Sequence, residues 1–155
     1  GDNLYRRSLY TYWKRTVPPP SMATFDAPER EFCLVRRSRT NTPLQAFVML
    51  HDPQFVEAAR HLAQRMMAAS KNSEERIKHG FRLATSRLPN QKEKAVLQRL
   101  FQERLDLYSR DSKAAQAVLS VGDSNQNPNL PKPEQAAWTT VARALLNLSE
   151  TISKN

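Results

Sequence analysis

The sequence predicts a mainly α-helical fold: a compact bundle of about five or six helices with a small N-terminal β-ribbon or irregular aromatic arm. Only 3 glycines occur beside 10 prolines, which favours helices joined at proline-containing turns over a glycine-rich β fold. Apolar residues recur at steps of three and four beyond residue 43, the spacing of one helix face. We therefore expect a single domain over 1–155, with an extended or β arm over 1–42 and a helical core over 43–155.

The N-terminal arm is rich in aromatic and basic residues. Residues 4–16 hold three tyrosines and Trp13 among arginines and a lysine. Tyrosine and tryptophan favour a strand, but Leu9, Tyr12 and Trp13 also lie at helical spacing, so a strand and an irregular extended piece both remain open. The prolines that follow require extended backbone. The short apolar run 31–36 is the best strand candidate and would pair with the aromatic stretch as a ribbon.

Residues 36–53 pass from three arginines through a helix start into an apolar run. Thr42 has the position of an N-cap, Pro43 that of the first helical residue, and Gln45 that of a capping-box partner. Asp52, followed by proline, repeats the start signal. We expect a short, buried apolar helix over 43–50 between these two caps.

Four longer helices are predicted after this segment, and a short one is predicted from the cap Asp111 to about Leu119. Ser73 and Asn90 are the predicted caps of the second and third long helices, and the polar stretch 122–132 is an expected exposed loop. The predicted inward faces are Phe55, Ala59, Leu62 and Met66; Ile77, Phe81, Ala84 and Leu88; Leu97, Leu100, Phe101, Leu105 and Tyr108; and Trp138, Val141, Ala142, Leu145 and Leu148.

The net charge of +9 permits attraction to nucleic acid, anionic polysaccharide or anionic lipid, but it does not identify a partner. Because the basic residues are spread along the chain, nucleic acid is a disfavoured partner. The chain has no apolar run near the roughly 18–20 residues that a transmembrane helix needs. It opens without an initiator methionine or a signal peptide, and we expect it to be a fragment of a longer protein.

No metal or cofactor site is predicted in the chain. Cys33 is the only cysteine, which rules out an internal disulfide and a Cys-x-x-Cys haem-attachment motif; it is expected to be a small buried residue. His51, His61 and His79 lack the i,i+4 spacing that zinc usually draws from one element.

No catalytic residue is predicted either. Asp26, Glu29 and Glu31 are interpreted as loop charges, and Asp52 as a helix cap. Nucleophile-elbow, phosphate-loop and dinucleotide-binding motifs are absent from the sequence.

The candidate binding surface combines arginines before the predicted apolar helix with aromatic and basic residues of the arm. Guanidinium groups bind carboxylate, sulfate or phosphate, and aromatic rings stack on sugars or bases. The same residues could instead tie the arm to its own domain, so a structural and a ligand-binding role both stay open. The set comprises Arg36, Arg37, Arg39, Asn41, Trp13, Tyr12 and Arg15.

Four stretches resemble the planctomycete-type domain of unknown function 1553. They are residues 5–22 (YRRSLYTYWKRTVPPPSM), 25–28 (FDAP), 36–53 (RRSRTNTPLQAFVMLHDP) and 144–151 (ALLNLSET). The resemblance implies the C-terminal part of a large secreted protein, which in many members carries a c-type cytochrome module. It also implies an electron-transfer or polysaccharide-related role for that parent protein. The family usually reads Leu-Asn-Asp-Pro where this chain has His51 before Asp52, which puts any role of that asparagine in doubt.

From these observations we expect a non-catalytic structural or interaction domain at the C-terminus of a larger exported bacterial protein. Its expected partner is the missing N-terminal part of the same protein, and any haem would lie in that part. One alternative is the substrate-binding part of an exported enzyme or redox protein acting on anionic polysaccharide. A second alternative is a basic nucleic-acid-binding domain.

Overall fold

The structure, a computed structural model, describes residues 5–14, 16–28, 33–36 and 38–152 and is mainly α-helical, as predicted. Six of the helices have eight or more residues, in agreement with the bundle of five or six that the periodicity indicates. In the described residues the elements are a 3-10 helix Ser8–Tyr10, α1 Pro20–Thr24, α2 Pro43–His51, α3 Pro53–Ala69, α4 Ser73–Thr85, α5 Gln91–Arg110, α6 Ser112–Leu119, α7 Lys132–Leu146 and α8 Ser149–Ile152.

The predicted β-ribbon is not formed by the described residues, where the arm is irregular apart from the 3-10 helix and α1. Helix α1 begins at Pro20, where extended backbone was expected, because a proline fits the first position of a helix. The only β-type pairing in the described part of the arm is one isolated antiparallel bridge between Lys14 and Val17. Of the strand candidate 31–36, the first two residues lie outside the described part of the chain, and Leu34 and Val35 are largely exposed. A two-stranded ribbon must pack on an apolar surface to be stable, and the exposed side chains of Leu34 and Val35 do not pack on one.

The core is built around α7, which packs against α3, α5 and α6. Trp138 is fully buried, and its ring stacks on Phe101 with the centroids 4.2 Å apart. Gly80 lets α4 lie close to α3, because a Cβ at this position would be 2.6 Å from the Met66 sulfur. The remaining buried apolar residues, drawn from five helices, are Val56, Ala59, Leu62, Ala63, Met67, Ile77, Phe81, Leu97, Tyr108, Ala115, Leu119, Ala136, Ala137, Val141, Ala142 and Leu145.

Two arginines join α7 to its neighbours. Arg76 of α4 pairs with Glu134 and lies over the Trp138 ring, 5.5 Å from its centroid. Arg143 of α7 donates a hydrogen bond to the carbonyl oxygen of Leu50 and so connects the core helix to α2. The central helix α7 thus fixes the position of the short helix α2.

Side-chain caps begin four helices where the sequence indicated starts. Thr42 and Asn90 each form a complete capping box, with Gln45 and Glu93 respectively. Asp52 and Asp111 each accept a hydrogen bond from a backbone amide of the helix that follows. These groups satisfy amides that a helix start leaves without an intrahelical partner.

Three local expectations were wrong. Asn72 rather than Ser73 caps α4, since its side chain accepts the amide of Glu74 at 2.8 Å. The left-handed backbone of Ser86 ends α4, so Leu88 lies beyond the helix and is 61% exposed. Cys33 is exposed rather than buried, as are residues 34–36 that follow it.

Among the described helices, none combines the length and the apolar character that crossing a bilayer would require.

Candidate functional site

The predicted binding residues lie on the arm and on the segment that approaches α2. Tyr12 is 84% exposed, Arg36 and Asn41 are exposed, and Trp13 is half-buried. Arg39 is also exposed, whereas Arg15 and Arg37 lie outside the described residues. Binding of a ligand by this set stays a prediction.

A hydrogen-bond network anchors the approach to α2. Gln45 is 1% exposed, and besides its capping-box contacts it donates to the carbonyl oxygen of Thr24 at 2.9 Å and to the Thr40 hydroxyl at 3.0 Å. Asp26 accepts the Thr40 amide at 2.7 Å. The arm, α1 and the start of α2 are therefore held together by one buried amide side chain and one carboxylate.

The outward face of α2 is apolar, which contradicts the expectation that this helix is buried. Leu44 and Phe47 are 58% and 59% exposed, and Gln45 is the only buried residue of the helix. His51 is exposed one turn further on, and its ring stacks on Phe47 with the centroids 4.3 Å apart. We call Leu44, Phe47 and His51 the α2 stripe.

Where α3 meets the loop after α6, a second group of polar residues lies next to the core. Glu57 is 5% exposed; its carboxylate accepts the Tyr5 hydroxyl at 2.7 Å and the Asp123 amide at 2.8 Å. Gly122, with φ +92°, allows this contact, because a Cβ there would lie 2.1 Å from Glu57 Oε2. Glu57 thus connects the arm to the loop between α6 and α7.

Arg60 and His61 complete this group. Arg60 is 1% exposed; it donates to the carbonyl oxygen of Leu119, and to the Ser124 hydroxyl at 2.6 Å. Nε2 of His61 lies 2.8 Å from the same hydroxyl oxygen and 3.9 Å from Glu57 Oε1. We call this group the Glu57 cluster; it comprises Tyr5, Glu57, Arg60, His61, Asp123 and Ser124.

The electrostatics of the cluster keep Glu57 ionised. Burial disfavours the charged carboxylate, but hydrogen bonds from Ser124, Tyr5 and the Asp123 amide outweigh it. Together with the nearby Arg60 guanidinium, they lower the pKa of Glu57 from 4.5 to about 2. The hydrogen bond to Glu57 raises the pKa of Tyr5 in turn.

The cluster does not have the geometry of an acid–base or nucleophilic centre. A carboxyl group with a pKa of about 2 is too weak a base to exchange protons efficiently near neutral pH. In a Ser-His-Asp triad the hydroxyl and the carboxylate contact different nitrogens of the imidazole. Here Ser124 and Glu57 both face Nε2 of His61. The arrangement fastens the loop to α3.

Two cavities lie beside the cluster and share Gln54 and Glu57. One, of about 220 Å³, is also lined by Tyr5, Ala58 and His61. The other, of about 330 Å³, is lined in addition by Asp52, Pro53, Gly122 and Asp123. Ser124 lines neither cavity, so its hydroxyl does not face these spaces.

The described part of the chain contains no group of three or more His, Cys, Asp or Glu side chains that could hold a metal ion. His61 belongs to the Glu57 cluster and His51 to the α2 stripe. His79 lies half-buried on α4.

The Glu57 cluster was not predicted from the sequence, although the sequence contains one indication of it. Glu57 and Arg60 fall beside Ala59, Leu62 and Ala63, on the side of α3 that faces the core. Charged residues among buried positions indicate buried pairing. Their partner Ser124 is more than sixty residues away, and neither periodicity nor spacing specifies such a contact.

Comparisons with known proteins place the chain in one family. The family model described as PSD1, protein of unknown function (DUF1553), matches residues 1–101. This region includes the arm, α1 to α4 and half of α5, whereas α7 and the loop that carries Ser124 follow it. Searches among curated proteins and among solved structures gave no match. Because the matched residues make up more than half of its length, the chain belongs to the PSD1 family of proteins of unknown function (DUF1553).

Proposed function

We propose that this chain is a non-catalytic structural and interaction domain that forms the C-terminal part of a larger exported protein. It packs through the α2 stripe on the part of the parent protein that precedes it. The observation that supports this proposal best is the exposure of Leu44 and Phe47, each more than half accessible on a helix without Asp, Glu, Lys or Arg.

Apart from Gln45 and His51, the residues of α2 are apolar, and the apolar face of a helix is ordinarily buried. The inner side of α2 contacts α3 and α7, while its outer side carries Leu44 and Phe47. Scattered exposed apolar residues are common, but neighbouring ones on a rigid element are typical of interaction sites. A protein surface that covers the α2 stripe would complete the burial that the helix composition calls for.

The rigidity of α2 also suits an interaction domain. Gln45, Thr42 and Asp26 fix the start of the helix, and Arg143 holds its end. A surface that is ordered before binding loses less conformational entropy on association than a flexible one. The non-catalytic part of the proposal is supported by the Glu57 cluster, whose groups are engaged with one another.

The proposal is tested by hydrogen–deuterium exchange of α2 in the full-length parent protein and in the isolated 155-residue chain. We expect slower exchange of α2 in the parent protein. The double variant Leu44→Gln/Phe47→Gln should remove this protection, whereas Val96→Gln, which changes an equally exposed residue of α5 (58%), should not. Identical exchange of α2 in both proteins would contradict the proposal.

Export is tested separately by fractionation of cells that produce the parent protein. We expect the domain outside the cytoplasm, detected with an antibody against residues of α5. Recovery of the full-length protein in the cytoplasmic fraction alone would refute this part of the proposal and leave the interaction part unaffected.

A further inference from the structure

Part of the loop between α6 and α7 is held in place by α3. The loop forms no helix or strand over residues 121–131. The Asp123 amide donates to Oε2 of Glu57 at 2.8 Å, and Arg60 donates to the Ser124 carbonyl oxygen at 2.9 Å. Both side chains on α3 are almost fully buried, so contacts with α3 rather than secondary structure order this stretch of the loop.

The arm reaches the same carboxylate through its other oxygen. The Tyr5 hydroxyl donates to Oε1 of Glu57 at 2.7 Å, while the Asp123 amide donates to Oε2. Glu57 is 5% exposed but Tyr5 is 60% exposed, so the arm supplies the accessible partner of a buried group. Removal of the Tyr5 hydroxyl would leave Oε1 to water, in the cavity of about 220 Å³ that both residues line.

We propose that Tyr5 is the end of a strap: its docking on Glu57 and the docking of the loop on α3 stabilise each other. The Tyr5 hydroxyl holds the carboxylate in the orientation that also presents Oε2 to the Asp123 amide. A group already ordered by one partner loses less conformational entropy when the second partner binds. Hydrogen bonds to the carboxylate are also stronger where the phenol ring keeps water away. Coupling of this kind is reciprocal, so losing the loop contacts releases Tyr5 by the same factor.

The strap gives the arm an influence on a distant part of the chain. Tyr5 and Asp123 each reach Glu57 across more than fifty residues of sequence. A partner that detaches the arm would open the cavity lined by Ala58 and His61 and would loosen the loop at the same time. This device works independently of the α2 stripe, because it involves the arm, α3 and the loop after α6 but no residue of α2.

Amide hydrogen exchange of the 155-residue chain, resolved by residue with NMR, measures the coupling. Tyr5→Phe keeps the ring and removes the hydroxyl, and it should speed exchange of the Asp123 amide about fivefold, the lower end of couplings between sites. In a Glu57→Gln background the same substitution should change this rate less than about twofold, because the carboxylate that transmits the effect is absent. Tyr10→Phe is the matched control, since Tyr10 belongs to the same arm and is 65% exposed; it should leave the rate unchanged.

The reciprocal effect is measured at the arm. Ser124→Ala removes a hydroxyl that is hydrogen-bonded to Glu57. It should speed trypsin cleavage after the two exposed arginines that follow Tyr5, by about fivefold. Ser109→Ala, on an exposed position of α5, is the control and should leave cleavage unchanged. Circular dichroism and urea unfolding establish that each variant is folded.

Three results would overturn the strap. The first is an Asp123 exchange rate that Tyr5→Phe leaves unchanged. The second is an acceleration that is equally large in the Glu57→Gln background or in the Tyr10→Phe control. The third is a rate of arm cleavage that Ser124→Ala does not alter. Acceleration in both directions, confined to the variants that remove a partner of Glu57, would confirm it.

Discussion

Replacing Glu57 by glutamine tests whether the negative charge of this buried group stabilises the fold. The folded protein lowers the pKa of Glu57 from 4.5 to about 2. One pH unit of pKa difference corresponds to about 1.4 kcal/mol, so the shift corresponds to about 3 kcal/mol at neutral pH. Glutamine keeps the shape of the side chain, but its NH₂ group replaces an oxygen that accepts a hydrogen bond. One donor of the cluster then faces another donor. We expect Glu57→Gln to lower the free energy of unfolding by about 2–3 kcal/mol at pH 7.

The pH dependence gives a sharper test than the magnitude. A carboxyl group with a depressed pKa stabilises the fold above its unfolded pKa, and this contribution is lost as the pH falls through its folded pKa. The difference in unfolding free energy between wild type and Glu57→Gln should therefore be constant from neutral pH down to about 5. It should then shrink as the pH falls from 4.5 towards 2.

Urea unfolding followed by circular dichroism at several pH values measures both quantities. Glu93→Gln is a matched control, because hydrogen bonds from Arg87 and the Asn90 amide likewise lower the pKa of Glu93 to about 2. Both variants should show the acid-dependent loss, but only Glu57→Gln should speed hydrogen exchange in the loop around Asp123. A stability within about 0.5 kcal/mol of wild type, the scatter of ordinary surface substitutions, would refute the reasoning. A stability difference independent of pH would refute it as well.

Further substitutions test other parts of the fold, each by urea unfolding. Gly122→Ala should cost about 2–4 kcal/mol, because its added Cβ would meet Glu57 on a backbone with positive φ; wild-type stability would show that this contact is not tight. Thr42→Ala removes a cap and should cost about 1 kcal/mol, with faster amide exchange at the start of α2, whereas unchanged exchange would argue against the capping box. Trp138→Ala should cost about 3–5 kcal/mol, and a loss below about 1 kcal/mol would contradict its central place in the core. Leu44→Gln should change the stability of the isolated chain by no more than about 0.5 kcal/mol, since the residue is already 58% exposed.

The starts of α2, α3, α5 and α6 were predictable because their causes are local. A capping box involves residues three positions apart, so Thr42 with Gln45 and Asn90 with Glu93 can be recognised from the sequence alone. The apolar stripe of α7 was predictable for the same reason, since Trp138 recurs with other apolar residues at the helical period. The one-residue error at Ser73 follows from the choice between two adjacent polar residues, both of which are common caps.

The Glu57 cluster could not be predicted, because it brings together side chains from distant parts of the chain. Tyr5 and Ser124 meet on Glu57 and Arg60, and each of these contacts spans more than fifty residues. The sequence showed Ser124 as part of a polar loop and His61 as an isolated histidine. Which helix side the loop crosses depends on how α6 and α7 pack, and no local pattern contains that information.

The error at α2 has a different origin, and it bears on function. Periodicity and composition report how much apolar surface a helix offers, but they do not report which part of the assembly covers it. The expected burial of residues 43–50 is partly met, since residues 46 and 48–50 are half-buried, and it is unmet at Leu44 and Phe47. If the preceding part of the parent protein covers the α2 stripe, as proposed, the sequence-based expectation of a buried helix holds for the assembled protein although it fails for the single domain. Protection of α2 in the parent protein would therefore support both the proposed function and the reading of the sequence, and its absence would leave the apolar character of this helix without a physical explanation.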